Sequence, residues 1–413
     1  MDSPLMKPDT TRSRLYANPN GIFLHDAVLT ACREHASRTA IVDTSLDPPL
    51  RLSYADYGGR VERAAKGLVA AGIQRGEVIA VYLANSWEFA VVYHAATLAG
   101  AIPTLLNPSY REREVRFQLE DSGAVALVTD APLISGMNLT GLAELRLIYT
   151  TRSQISGTTA FSELLQPCIA SLPAATANSK DTLAALPYSS GTTGMPKGVM
   201  LSHHNLVANA YQRIPPGETI APNKDDITLC FLPLYHIYGL NVLLNPTLMV
   251  GGSLVLMPRF DPAKVCESLV TEQVTFLPMV PPVMNALCQI AEKDAFPRDH
   301  KVRYGKSGAA PLPPELPRRF ERLTGIRTVQ GYGMTEASPV THMGFLEGAL
   351  YRPDTIGRPV AETECRIVDG NGNDRSEVAP NEPGELIMRG PQFMSGYWRN
   401  PAASAEVLRD GWY

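Results

Sequence analysis

Val78-Ile-Ala-Val-Tyr-Leu83, Trp87-Glu-Phe-Ala-Val-Val-Tyr-His-Ala-Ala-Thr-Leu-Ala99 and Ile102-Pro-Thr-Leu-Leu106 follow one another with three and then two residues between them. The first and last are continuous apolar runs of strand length, and the middle one is long enough for a helix. Strand, helix and strand in close succession predict a parallel α/β sheet. His94, Thr97, Gly100 and Pro103 interrupt the most membrane-like stretch, Phe89 to Leu106, so a buried helix running into a strand explains it better than a bilayer span. No transmembrane segment is expected.

The alternation extends outward from this unit. Ser53 followed three residues on by Asp56 reads as a helix cap, and Tyr54, Tyr57, Val61, Ala65 and Leu68 recur at helical spacing behind it. A charged helix over Arg113–Asp121 and a strand over Val125–Thr129 follow. From about Ala131 to Lys180 the periodicity weakens, as in a connecting region. Strand-like runs at 228–233, 253–257, 275–280 and 302–305 then alternate with helical stretches near 240–249, 262–272, 282–290 and 314–323, a second parallel unit. Beyond Val340 short runs such as Cys365–Val368 and Glu385–Met388 are separated by Asp-Gly-Asn-Gly and Asn-Glu-Pro-Gly turns, which predicts antiparallel β structure. The expected division is 1–180, 181–339 and 340–413: two α/β subdomains and a small, β-barrel-like antiparallel one.

The 413 residues carry 37 basic and 41 acidic side chains, a net charge of -4 without any block of one sign, so nucleic acid is not an expected partner. Cys32, Cys168, Cys230, Cys266, Cys288 and Cys365 lie far apart with no metal-ligand spacing, and are read as reduced thiols. The start lacks a basic and apolar leader, which predicts a cytoplasmic protein, although a peroxisomal tripeptide at a C-terminus beyond Tyr413 is compatible with it. His203 and His204 are adjacent, hence about 100° apart on a helix; they are expected at the surface beside a cap rather than on a metal.

The densest chemical signal is Tyr188-Ser-Ser-Gly-Thr-Thr-Gly-Met-Pro-Lys-Gly198. Glycines let backbone N–H groups turn toward an anion, hydroxyls add hydrogen bonds and Lys197 supplies charge, the requirements of a phosphate. It is not a nucleotide loop of the Gly-Lys-Ser/Thr kind, because Pro196 precedes Lys197 and Gly198 follows it. A strand over Val199–Leu201 is expected before the helix that begins near His203.

This loop resembles the phosphate loop of the adenylate-forming superfamily of acyl-CoA synthetases, luciferases and peptide-synthetase adenylation domains. Four further segments stand in the superfamily's order: Leu232-Pro-Leu-Tyr-His-Ile-Tyr-Gly239, Lys306-Ser-Gly-Ala-Ala-Pro311, Gln330-Gly-Tyr-Gly-Met-Thr-Glu336, and Gly384-Glu-Leu with Arg389-Gly-Pro through Gly396-Tyr-Trp. The resemblance covers nearly the whole chain from about residue 20 and is nearest the 4-coumarate:CoA ligase-like branch. It implies the superfamily's N-terminal domain fold, with ATP, Mg2+ and CoA as cofactors and a small carboxylic acid as substrate. Ser189, Ser190, Gly191, Thr192, Thr193, Gly194 and Lys197 would hold the phosphates. Gly308, Ala309 and Ala310 would form a flat wall, and Gln330, Gly331, Tyr332 and Gly333 would border the adenine. Thr335 would reach the α-phosphate, Glu336 the magnesium, and His236 the reacting carboxylate near the thiol channel.

By the same resemblance the acyl group would lie among His236, Ile237, Tyr238, Gly239, Lys306, Gly331, Pro339 and Val340. Amino-acid-activating relatives place an Asp where His236 stands, so a simple acid, aromatic, phenylpropanoid or medium-chain fatty, is expected. Gly239 departs from the Ser common in plant 4-coumarate ligases. The acyl acceptor is CoA or, with the same motifs, a carrier-protein thiol. Superfamily members continue past Asp410-Gly-Trp-Tyr413 into a ribose-holding Thr-Gly-Asp segment, a hinge and a mobile domain of roughly 110 residues. The resemblance therefore implies that this chain is the nucleotide- and acyl-binding part, catalytically incomplete on its own or a binding module.

Overall fold

In the computed structural model, residues 21–174, 178–189, 195–213, 221–346, 351–369 and 376–413 are described. Strand Val78–Tyr82, helix Trp87–Leu98 and strand Ile102–Leu105 form as the opening stretch predicts, and the two strands pair in parallel. All five residues of the first strand and all four of the second are buried, which is why their sequences do not alternate. Helix Tyr54–Ala70 starts at Ser53, whose hydroxyl accepts from Asp56 N while the Asp56 carboxylate accepts from Ser53 N. The Ser53 hydroxyl, donating to the Asp56 carboxylate at 2.6 Å, and then Ser53 N hold that carboxyl below its usual range.

Among the described residues the strands form sheets of nine, eight and two. The eight-stranded sheet carries Leu201–Ser202, Leu183–Ser189, Ile102–Leu105, Val78–Tyr82, Ala124–Thr129, Leu147–Thr150 and Thr159–Ala160 in spatial order, with Lys197–Gly198 paired beside Leu183–Ser189. The last two of these strands and the short helix Phe161–Leu165 lie in the stretch whose sequence reads as a connection. The nine-stranded sheet has a parallel centre, running from Thr328–Gly333 through Tyr304–Ser307, Phe276–Met279, Ile227–Cys230 and Ser253–Leu256 to Thr39–Asp43. Leu50–Ser53 closes one edge, and Val340–Met343 with Arg358–Pro359 the other, all three antiparallel to their neighbours. The nine- and eight-stranded sheets each take strands from both sides of residue 180.

Among the described residues the third part forms no closed barrel. Val340–Met343 is buried at all four positions, so it gains more by extending the large sheet than by standing in a separate one. What remains beyond it is the ribbon Glu364–Val368 with Glu385–Arg389, whose Arg366 and Arg389 guanidiniums lie 4.8 and 4.7 Å from the Trp412 ring. The histidine pair is also corrected. His203 and His204 are buried, the cap of helix His203–Gln212 is Ser202, and His203 Nδ1 accepts from Leu24 N at 3.1 Å.

No helix among the described residues is long and apolar enough to cross a membrane. Helix Trp87–Leu98 is buried nearly all round, and His94 within it is fully enclosed. His94 Nε2 donates to Asn245 Oδ1 at 3.1 Å, Asn245 Nδ2 donates to Asn241 Oδ1 at 2.9 Å, and Asn241 Nδ2 donates to Ser338 O at 2.6 Å. The Tyr57 hydroxyl lies 2.6 Å from His94 Nδ1 at the other end. This buried polar chain ties the first helices to the turn at Ser338, and each member is satisfied by the next.

Burial lowers the His94 pKa from 6.5 to about 4. Below pH 6.5 the unfolded chain takes up a proton that the folded chain refuses, so stability present at neutral pH is lost as pH falls toward 4. The shift corresponds to about 3 kcal/mol. Urea titrations at pH 7 and pH 4 are expected to show a shallower pH loss in His94→Gln than in the original chain by about that amount; equal losses would contradict this assignment.

Candidate active site

Strand Leu183–Ser189 returns as Lys197–Gly198, with Tyr188 opposite Gly198 and Ser189 opposite Lys197. The hydroxyl-rich loop is therefore the connection of an antiparallel hairpin, not the strand-to-helix loop of the Gly-Lys-Ser/Thr kind. Ser190, Gly191, Thr192, Thr193 and Gly194 lie outside the described residues. The expected strand after the loop is represented by Leu201–Ser202, and Val199 bridges to Tyr397.

That bridge assembles the site. Met200 N donates to Gly396 O at 3.0 Å and Trp398 N to Gly198 O at 2.8 Å, laying residues 396–398 alongside the hairpin. Lys197 Nζ consequently sits 5.0 Å from the centre of the Tyr397 ring, over its negative face. From the other side of the ring system, the Tyr397 hydroxyl donates to Glu336 Oε1 at 2.9 Å. Burial and the neighbouring Glu336 charge push the Tyr397 pKa well up, so it remains a donor. Glu336 is 7% exposed in the short helix Thr335–Ala337, and its backbone carbonyl accepts from Met394 N at 2.8 Å.

Glu336 Oε2 has no hydrogen-bond partner among the described residues, and no group of three or more His, Cys, Asp or Glu among them is placed to hold a metal. One free carboxylate oxygen without a full protein cage fits a hard ion that keeps water and phosphate ligands, as magnesium does.

Gln330, Gly331, Tyr332 and Gly333 end strand Thr328–Gly333, and the Tyr332 ring is exposed at 37%, tilted against His342. Gly333 permits the strand to pass the Pro339 carbonyl: a Cβ there would lie 1.9 Å from that oxygen. Ser338 and Ala309 flank the site in the left-handed region at φ 65° and 64°, each costing roughly 1 kcal/mol or more. Gly308 is buried with Tyr238 and the Gly331 carbonyl against it, whereas Ala309 and Ala310 are exposed. The Tyr238 hydroxyl donates to Lys306 O at 3.0 Å, and a Cβ on Gly331 would meet Lys306 Cε at 2.9 Å. Tyr238, Lys306, Gly308 and Gly331 thus form one cluster, with Pro339 and Val340 on the adjoining turn.

His236 borders it from the solvent edge of the loop before the π-helical stretch Gly239–Leu244. Ile237 and Gly239 behind it are buried, and a Cβ on Gly239 would lie 2.2 Å from Pro233 O, which explains glycine where a serine is common. His236 Nδ1 accepts from Tyr238 N at 3.1 Å, and desolvation by the surrounding protein lowers its pKa. The neutral ring therefore carries its proton on Nε2 and presents a donor. A donor suits a carboxylate oxygen; a base would need that nitrogen free. Among the described residues no hydrogen bond joins His236 to Lys197, Thr335 or Glu336.

Three residues to which the motif reading gives no role hold the site in shape. Asn85 Nδ2 donates to Leu232 O at 2.9 Å while its Oδ1 accepts from Leu234 N at 2.8 Å, fixing the His236 loop. Asn209 clasps Val340 through both backbone groups, at 2.7 and 3.1 Å. Tyr397 joins Lys197 to Glu336. A buried Asn in an apolar stretch is the sequence signal for the first two, since it must find partners.

The sequence matches the AMP-binding enzyme family over residues 28–398. It is 35% identical to 4-coumarate-CoA ligase 5 of Oryza sativa subsp. japonica, over 97% of this chain and 74% of that protein. It is 30% identical to the long-chain-fatty-acid-CoA ligase of Bacillus subtilis (strain 168), over 88% and 69%. The inhibitor-bound N-terminal domain of FACL13 from Mycobacterium tuberculosis has the same fold, with a TM-score of 0.83 at 26% identity, over 95% of this chain and 94% of that one. Motif order, site geometry and these matches agree: the chain belongs to the AMP-binding enzyme family.

Proposed function

We propose that this chain binds ATP and a carboxylic acid for AMP-forming acyl activation, with CoA as the acyl acceptor. The observation that carries this reading is the joining of Lys197 and Glu336 through Tyr397, with the exposed Tyr332 ring four residues before Glu336 in the chain. Tyr332 offers a face for adenine, where stacking contributes about 1–3 kcal/mol. Lys197 and the hairpin connection hold the phosphates, and Thr335 lies on the same short helix as Glu336. Magnesium bound at Glu336 would neutralise charge on the phosphates.

A carboxylate oxygen of the acid attacks the α-phosphorus, the bond to the bridging oxygen breaks and pyrophosphate leaves. The CoA sulfur then attacks the acyl carbon and AMP leaves. His236 orients the acid through Nε2–H in the first step. His236→Ala is expected to raise KM for the acid about tenfold or more, the loss of one hydrogen bond to a charged group, with little change in KM for ATP. Equal rises would remove His236 from the acid site.

Product analysis with ATP, Mg2+, an acid panel and CoA or a carrier-protein thiol tests the function. AMP, pyrophosphate and the CoA thioester are expected. Preference for the carrier thiol would move the acceptor, adenylate binding without turnover would make the chain a binding module, and ADP with phosphate would overturn the reading.

A further inference from the structure

Among the described residues, the buried basic side chains of Arg213 and Lys306 have no carboxylate paired with them. Arg213 is 4% exposed at the end of helix His203–Gln212, and among the described residues its guanidinium donates to neutral carbonyls: Asn209 O and Val242 O at 3.3 Å and Asn241 O at 3.2 Å. Lys306 is 5% exposed on strand Tyr304–Ser307, and its ammonium reaches Met343 Sδ at 3.4 Å, a weak acceptor. Both line one small cavity, with room for about one water-sized group, walled by Val242, Phe276, Val329 and Met343. The carboxylate lining it, Asp226, is already taken by Arg303 at 2.6 Å, Thr275 Oγ1 at 2.8 Å and Asn223 N at 2.9 Å. Among the described residues no carboxylate pairs with Arg213 or Lys306.

Buried charges without partners are rare because desolvation costs several kcal/mol per ion. Burial lowers Arg213 to about 10, leaving it charged at neutral pH, and burial together with the Arg213 charge lowers Lys306 well below its usual range. An anion arriving between the two would relieve both penalties. The cavity adjoins the acyl cluster, since Lys306 bears on Gly331 and Tyr238 closes on Lys306 O.

We propose that Arg213 and Lys306 form a subsite for a second carboxylate, so that the acid activated is a dicarboxylic acid, aliphatic or aryl, whose far carboxylate lies between these two cations. The proposal rests on the acyl-adenylate reading. Calorimetry on the 413-residue chain would compare non-hydrolysable acyl-sulfamoyl adenosines in matched pairs, with unacylated sulfamoyl adenosine titrated alongside them. The pairs are adipoyl against hexanoyl, suberoyl against octanoyl, and 4-carboxycinnamoyl against 4-methyl- and 4-hydroxycinnamoyl.

At the length that spans the site, the carboxylate-ended member is expected to bind about 100-fold more tightly, the scale of a desolvated charge pair. Arg213→Gln and Lys306→Met should each cut that margin at least about tenfold. Methyl- or hydroxyl-ended members binding as tightly at every length would overturn the subsite and leave the adenylate reading intact. If no acyl compound binds more tightly than unacylated sulfamoyl adenosine, both are overturned. The comparison in the original chain decides even where a variant fails to fold.

Discussion

Glu336→Gln is expected to abolish the magnesium dependence of ATP binding and to lower acyl-adenylate formation about 100-fold or more, the scale seen when a group that stabilises developing charge is removed. Glutamine keeps the volume, and its amide oxygen can still accept from the Tyr397 hydroxyl, so the fold around it is preserved. What disappears is the negative charge and the free Oε2 that would meet the ion. The readout is the ratio of ATP affinities with magnesium and with chelator, which should fall to about one in the variant. A ratio unchanged from the original chain would remove Glu336 from the metal site. Lys197→Ala should behave differently, weakening ATP about tenfold to 100-fold while leaving that ratio above one, because one charge-assisted bond is lost and the ion's carboxylate is not.

Gly333→Ala is expected to destabilise the chain by about 3 kcal/mol, at the upper end of overpacking effects. The added Cβ would fall 1.9 Å from Pro339 O and 2.7 Å from Pro339 C, backbone atoms that no rotamer change can move. Met334 N also donates to Pro339 O at 3.0 Å, so relief would break the turn that carries Thr335 and Glu336. Thermal melting should drop by about 3–4 °C, given the scaling of unfolding entropy with chain length. Gly72→Ala offers a contrast: its φ is 88° but nothing lies within 4 Å of its Cβ, so only backbone strain, about 1 kcal/mol, is added. Equal melting of Gly333→Ala and the original chain would mean that this crossing does not hold the turn.

Much of this arrangement is legible in the residues. The buried strands at 78–82 and 124–129 announce themselves as unbroken apolar runs, and Ser53 with Asp56 marks a helix start that the structure keeps. The glycines, hydroxyls and lysine before Gly198 are the composition from which the phosphate-holding role is proposed. The sequence does not reveal how segments far apart meet. Nothing local says that Thr39–Asp43 pairs with Ser253–Leu256 across more than two hundred residues, or that Val340–Met343 joins the large sheet instead of a barrel. A four-residue buried run fits either sheet, and the choice is made by packing. Tyr397 stands in a motif that can be quoted, yet its bond to Glu336 depends on the pairing of 396–398 with the hairpin. Arg213 reads as an ordinary cation at a helix end until the structure shows three carbonyls around it and, among the described residues, no acid paired with it.

The central claim is that nucleotide and acyl group occupy one continuous site, from Lys197, Glu336 and Tyr332 to the cluster at Gly331 and Lys306. Calorimetric titration of the chain with AMP and then with the tightest of the acyl-sulfamoyl adenosines tests it directly. One site per chain is expected, with the acyl mimic binding at least about 100-fold more tightly than AMP because both halves are held at once. An acyl mimic binding no tighter than AMP, or no saturable binding of either, would contradict the account.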